Sequence, residues 1–124
     1  MVNTAESMVG KTCIVTGANA GIGRAITVGL SIMGATVVMV CRDRDRGETA
    51  VNEIKEESGN DALYLFIADL SSQTSIRQFA SEFKSEFTTL DVLINNAGVI
   101  PPKRTETADG LETQFAVNYL AGFL

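Results

Sequence analysis

Apolar positions recur along this chain in two alternating rhythms. Thr12 to Thr16 is a short apolar run that reads as a strand. From Gly21 to Met33 the spacing changes: Ile22, Ile26, Leu30 and Met33 recur at helical intervals, and Gly34 supplies a stop. Ala35 to Cys41 is apolar and β-branched on both faces, as in a parallel strand covered on both sides. Asp43 or Asp45 can cap the helix that follows, which turns Ala50, Val51 and Ile54 inward and stops at Ser58-Gly59-Asn60. Ala62 to Ala68 is a third strand. After Asp69-Leu70, Ser71 or Ser72 caps a strongly amphipathic helix with Ile76, Phe79, Phe83 and Phe87 on one stripe. Such a stripe can line a ligand surface, but core packing against a sheet is the stronger reading. Asp91 to Asn95 is a fourth strand, Pro101-Pro102 breaks the pattern, and Thr107 or Asp109 opens a last helix running to Leu124.

Four βα units with short joints predict an α/β fold, a doubly wound parallel sheet with right-handed crossovers. The strand order is expected to be 3-2-1-4. Residues 1–10 read as an N-terminal extension and 11–124 as the domain. A fourth strand left at an edge, and a last helix without a C-cap, lead to the expectation that the domain is truncated at its C-terminal end, the later strands missing.

Composition narrows the function classes. Of 124 residues, 45% are apolar and 20% charged, which is globular rather than disordered. The formal net charge of −5 argues against a nucleic-acid partner. Histidine is absent, removing the commonest general base and metal ligand, and with no C-x-x-C no metal site is expected. Cys13 and Cys41 sit in separate apolar runs and read as reduced, buried hydrophobes. The N-terminus has neither the basic nor the apolar region of a secretory signal, and no apolar run is long enough to span a bilayer, so the expectation is a cytoplasmic protein with no membrane segment.

The stretch from Lys11 to Arg24 carries the first chemical signal. A strand feeds a helix N-terminus through a glycine-rich turn, with Gly17, Gly21 and Gly23 spaced G-x-x-x-G-x-G. Backbone N–H groups point outward at such a joint and the helix dipole adds partial positive charge, so the joint is an anion site.

Three segments then carry a resemblance: Thr16-Gly17-Ala18-Asn19-Ala20-Gly21-Ile22-Gly23, Asn95-Asn96-Ala97-Gly98, and Asn118 on the final helix. In order and spacing the chain resembles the short-chain dehydrogenase/reductase superfamily from Lys11 onward. Val40-Cys41-Arg42-Asp43 and Asp109-Gly110-Leu111-Glu112 make it most similar to the retinol dehydrogenase-like branch. The resemblance implies a Rossmann domain binding a nicotinamide dinucleotide, and hydride transfer with a carbonyl or alcohol substrate, in that branch a lipophilic one. A homo-oligomer is open for the full-length protein. A second reading keeps the dinucleotide site without the chemistry, as a non-catalytic binding or regulatory protein.

The residues can be read beside that resemblance. Gly17 permits the tight turn, Gly21 lets the backbone approach a pyrophosphate, and Gly23 lets the helix pack close to the sheet. Asn19 belongs to the same cofactor turn, and Ile22 is expected to offer a backbone N–H to the phosphates. Where an acid would accept the ribose 2′-OH of NAD, this chain has Cys41 followed by Arg42. A guanidinium grips a 2′-phosphate, so NADP is favoured over NAD, and Arg24 could add charge from the other side. Against this, Arg42, Arg44 and Arg46 with Asp43 and Asp45 also read as a solvated loop. By resemblance, Asp69 reaches the adenine amino group with the Leu70 backbone alongside; its plainer reading is a helix-capping aspartate. Asn95 is expected to tie the sheet together, while Asn96, Ala97 and Gly98 border the adenosine ribose. Asn118 corresponds to the catalytic asparagine whose carbonyl holds a relay water. The serine and Tyr-x-x-x-Lys partners are not in this sequence: neither Tyr64 nor Tyr119 has a lysine four residues on. No turnover is therefore expected from these 124 residues alone.

Overall fold

The computed structural model describes residues 7–97. The elements alternate as β1 (Thr12–Thr16), α1 (Gly21–Ile32), β2 (Thr36–Cys41), α2 (Arg44–Ser58), β3 (Leu63–Ile67), α3 (Gln73–Glu86) and β4 (Val92–Ile94). All strand pairs are parallel, and the order is β3-β2-β1-β4, the arrangement expected from the sequence. Met8 brings the chain into the fold: its N–H donates to the Met33 carbonyl at 2.9 Å, and its side chain packs against the core. The expected last helix and the Pro101-Pro102 break lie outside the described residues.

Side-chain alternation divides the core in two. Cys13, Val15, Val37, Met39 and Cys41 point to the face carrying α1 and α2, where Ala50, Val51 and Ile54 meet them. Ile14, Val38, Val40 and Phe66 point to the face carrying α3. The phenylalanine stripe is core, as read. Phe66 and Phe79 meet edge to face at 5.5 Å, Phe83 and Phe87 stack at 5.0 Å, and Phe83 is buried. Of the alternative caps, Asp43 accepts from the Arg46 N–H on α2, and Ser72 accepts from the Ser75 N–H on α3. Both cysteines are free and buried, and burial pushes both thiols above their ordinary range.

α1 departs from the sequence reading. Its residues at helical spacing do not make the buried face: Ile22 is 74% exposed, and the helix ends at Ile32 rather than Met33. The buried positions are Gly23, Thr27 and Ser31, with Ile26 and Leu30 flanking them half-buried. Small residues face the sheet because the helix starts too close to β1 for large ones. Thr27 Oγ1 donates to the Gly23 carbonyl at 2.8 Å, but the Ser31 hydroxyl, 1% exposed, has no hydrogen-bond partner.

An unpaired buried hydroxyl is a cost with no return. Ser31→Ala removes it and improves helix propensity, so stability is expected to stay level or rise by up to about 1 kcal/mol. Urea unfolding reads this directly. A loss of more than about 1 kcal/mol would mean that the hydroxyl is satisfied in solution.

Candidate functional site

Because every strand runs the same way, the segments after β1, β2, β3 and β4 all emerge at one edge of the sheet. The chain leaves β1 toward β2 and β3, then crosses back through α3 to reach β4. The switch in direction falls between β1 and β4, and open α/β sheets place their ligand crevice at such a switch. Gly17 to Gly23, Arg42, Asp69-Leu70 and Asn96-Ala97 all stand at this edge.

At the centre is a knot between the ends of β1 and β4. Thr16 Oγ1 accepts from the Asn96 N–H at 3.0 Å and from the Ala97 N–H at 2.9 Å, and it contacts the Ile94 carbonyl at 3.4 Å. The Asn96 side-chain amide donates to the carbonyls of Thr16, at 3.1 Å, and Gly17, at 3.3 Å. The sheet-tying role expected of Asn95 therefore falls to Asn96. Asn95 is one residue out of phase: exposed, it lines a separate groove with Leu93 and Phe87. Nothing in the sequence alone gives Thr16 a role of its own. A threonine ending a strand beside a glycine turn carried only a faint signal, because its partners lie 78 to 81 residues away.

The knot sets the glycine turn. Gly17 has φ +63°, and its N–H donates to the Val40 carbonyl at 2.9 Å, extending the β1–β2 ladder by one bond. A Cβ on Gly23 would run into the Gly17 carbonyl oxygen and Asn96 Nδ2, so only glycine lets α1 start this close to the strand end. Gly21 has φ +58° and faces open space. The N-cap of α1 is Ala20, with no side-chain cap and no acid in the first turn, whereas α2 and α3 are capped by Asp43 and Ser72. The first N–H groups of α1 thus lie beside open space with no side chain competing for them.

The other candidates surround this turn. Cys41, 2% exposed, sets its thiol beneath the backbone N–H groups of Ala18 and Asn19. Arg42 is exposed. Asp69 Oδ1 accepts from the Ser71 N–H at 2.9 Å and the Ser71 hydroxyl at 2.6 Å, and the Asp69 N–H donates to Ser75 Oγ at 2.8 Å. The Ser71 bonds, with Arg42 nearby, hold the Asp69 carboxyl below the usual carboxylate range. Leu70 is half-buried and packs against the α3 core. Arg24, expected to add charge toward the site, turns the other way: its Nη2 pairs with Glu57 at 2.5 Å and Glu53 at 3.3 Å on α2. Gly98 and Asn118 lie outside the described residues.

With this geometry in view, the likenesses to known proteins are informative. The model of the short chain dehydrogenase family matches residues 11–124. Over 115 residues the chain is 48% identical to dehydrogenase/reductase SDR family member 12 of Bos taurus and 46% identical to retinol dehydrogenase 11 of Mus musculus. Each match covers 93% of this chain but 36% of the relative, so the chain spans little more than a third of their length. Among solved structures, the Pseudomonas aeruginosa RhlG/NADP active-site complex superposes with a TM-score of 0.78 at 31% identity, over 94% of this chain and 44% of that one.

Two outcomes test the site as described. Thr16→Val keeps shape but strands the Ala97 N–H and leaves the Asn96 N–H only the Ile94 carbonyl, at 3.1 Å, so it is expected to cost about 1–3 kcal/mol in chemical denaturation. A near-neutral result would show the knot to be dispensable. Asp69 has a folded pKa below its unfolded value of about 3.9, so its contribution is full above that pH and fades as pH falls through the folded value. Asp69→Asn should therefore flatten part of the stability loss below about pH 4 in an acid titration. An unchanged acid limb would place the sensitivity elsewhere.

Proposed function

This chain belongs to the short chain dehydrogenase family, and we propose that it is the nucleotide-holding part of an oxidoreductase. The reaction is hydride transfer between a nicotinamide dinucleotide and a carbonyl or alcohol. The observation that carries the reading is the uncapped N-terminus of α1, set behind Gly17, Gly21 and Gly23 at the switch between β1 and β4. Bare N–H groups, a positive dipole end and room beside Gly21 suit a pyrophosphate. The dinucleotide supplies the hydride when bound; the chain's residues hold and orient it.

NADP is the preferred partner in this proposal. Cys41 is buried and neutral at the end of β2, where an acid would bind a ribose 2′-OH, and the exposed Arg42 follows it. A guanidinium in that place favours a 2′-phosphate. Asp69 and the Leu70 backbone take the adenine end, with Asn19, Ile22, Asn96, Ala97 and Gly98 bordering the rest. Asn118 serves the proton relay. The substrate is a lipophilic alcohol or carbonyl compound, a reading supported by likeness to proteins named retinol dehydrogenases.

The test is a binding comparison. Arg42→Asp should weaken NADPH by about ten- to a hundredfold, the range of one lost charge-assisted hydrogen-bonding group, and change NADH little. Titration calorimetry with both dinucleotides decides it. Equal losses would remove the NADP assignment while leaving the dinucleotide site standing.

A further inference from the structure

The sheet of described residues ends on one side at β3, and nothing there blunts the edge. The strand reads Leu63-Tyr64-Leu65-Phe66-Ile67, without a charge or proline, two devices that usually discourage edge pairing. Its hydrogen-bonding phase is fixed by its neighbour. The Val37 N–H donates to the Ala62 carbonyl and the Ala68 N–H to the Cys41 carbonyl, so the even-numbered residues face β2. By the period of two, Leu63, Leu65 and Ile67 turn their backbone groups outward. Of these, only the Leu63 N–H has a local acceptor, the Asp61 carbonyl.

Along this edge runs an open groove of about 440 Å³. One wall is β3, with Tyr64 45% exposed. The other is the stripe Ser75, Gln78, Glu82 and Glu86 on α3, and Arg44 also lines the groove. α3 runs antiparallel to β3: its first turn is bonded to Asp69, just past the strand's end, and Phe87, just past Glu86, packs edge to face on Tyr64. The polarity along the groove is therefore fixed, with Ser75 at the end where β3 leaves and Glu86 at the end where it enters.

That polarity is self-complementary under a two-fold rotation. Antiparallel pairing of two β3 edges about a dyad at Leu65 matches each Leu65 with its copy, and the Ile67 N–H with the Leu63 carbonyl, the acceptor left open by the local bond. The same rotation sets Ser75 across from Glu86 and Gln78 across from Glu82. Hydroxyl and amide donors then face carboxylates, and no glutamate faces its own copy. It also carries Arg44 toward the glutamate end of the other molecule. A basic peptide would satisfy Glu82 and Glu86 but leave Arg44 facing like charge; a second copy supplies both signs.

We propose that the outer edge of β3 is an interface between two copies of this chain, joined as a continuous antiparallel extension of the sheet. The surface is separate from the nucleotide edge and stands without the cofactor reading. Sedimentation velocity over a concentration series tests it. The protein is expected to dimerise, and Arg44→Glu to raise the dimer Kd about tenfold by setting like charges across the dyad. An acid in the first turn of α2 suits the helix dipole, so folding is not the variable. Adding Glu86→Arg to that variant swaps the charges and should restore most of the affinity. Amide exchange at Leu65 and Ile67 should slow as concentration rises. A monomer at all concentrations overturns the proposal. So does a dimer indifferent to Arg44→Glu, a double variant no better than the single one, or a monomer that instead takes up a basic extended peptide.

Discussion

One hydroxyl fastens the end of β4 to the end of β1. Thr16 Oγ1 takes the N–H groups of both Asn96 and Ala97, and the Asn96 amide returns to the carbonyls of Thr16 and Gly17. The Gly17 carbonyl is also the atom that a Cβ on Gly23 would strike. Two strand ends and the start of a helix thus converge on a volume with room for hydrogen atoms and little else. Helix α1 takes its position from that crowding, and its position aims the uncapped N-terminus across the sheet edge. A loose joint here would still leave a parallel sheet, but the first N–H groups of α1 would no longer share a direction.

The same closeness explains why α1 buries Gly23, Thr27 and Ser31 and exposes Ile22. A helix whose first turn touches a strand end cannot interpose large side chains there. Its apolar residues flank the contact instead, and one buried hydroxyl goes unpaired. Local rules of core composition give way where geometry is required for something else, which is the pattern expected near functional positions. α3, lying over the other face with no loop to aim, keeps an ordinary apolar stripe of Ile76, Phe79 and Phe83.

This contrast sets what could be read from the sequence. β2 and α3 were legible because their evidence is local: a run apolar on both faces, and a stripe at helical spacing behind a serine cap. The parallel sheet and its crossovers follow from the βα alternation and handedness, whereas neither fixes the reversal that sets β4 beside β1. Arg24 was not legible, because Glu53 and Glu57 lie 29 and 33 residues on and reach it only once α1 and α2 pack. That Asn96 rather than Asn95 ties the sheet is hidden for a related reason. Adjacent residues at a strand end point in opposite directions, and only the pairing partner Thr16 decides which amide turns inward. Nothing local distinguishes them.

The two parts of the proposed nucleotide site differ in kind, and that difference bears on how such a site changes over time. At the glycine turn the attraction comes from backbone N–H groups and a helix dipole, equivalent to about half a charge, which no side-chain exchange removes while the glycines persist. At the ends of β2 and β3 it comes from side chains. Arg42 is exposed and replaceable, and Cys41 sets only the absence of a carboxylate. Arg24 does not compensate, since its charge is already engaged by α2. Under the proposed function, affinity for a dinucleotide is therefore built into the fold, while the choice between dinucleotides rests on side chains that can change without moving a backbone atom. Asp69 stands between the two, because its carboxylate orders the turn through Ser71 while the nearby Arg42 helps to keep it ionised. It cannot be altered for one purpose and left intact for the other.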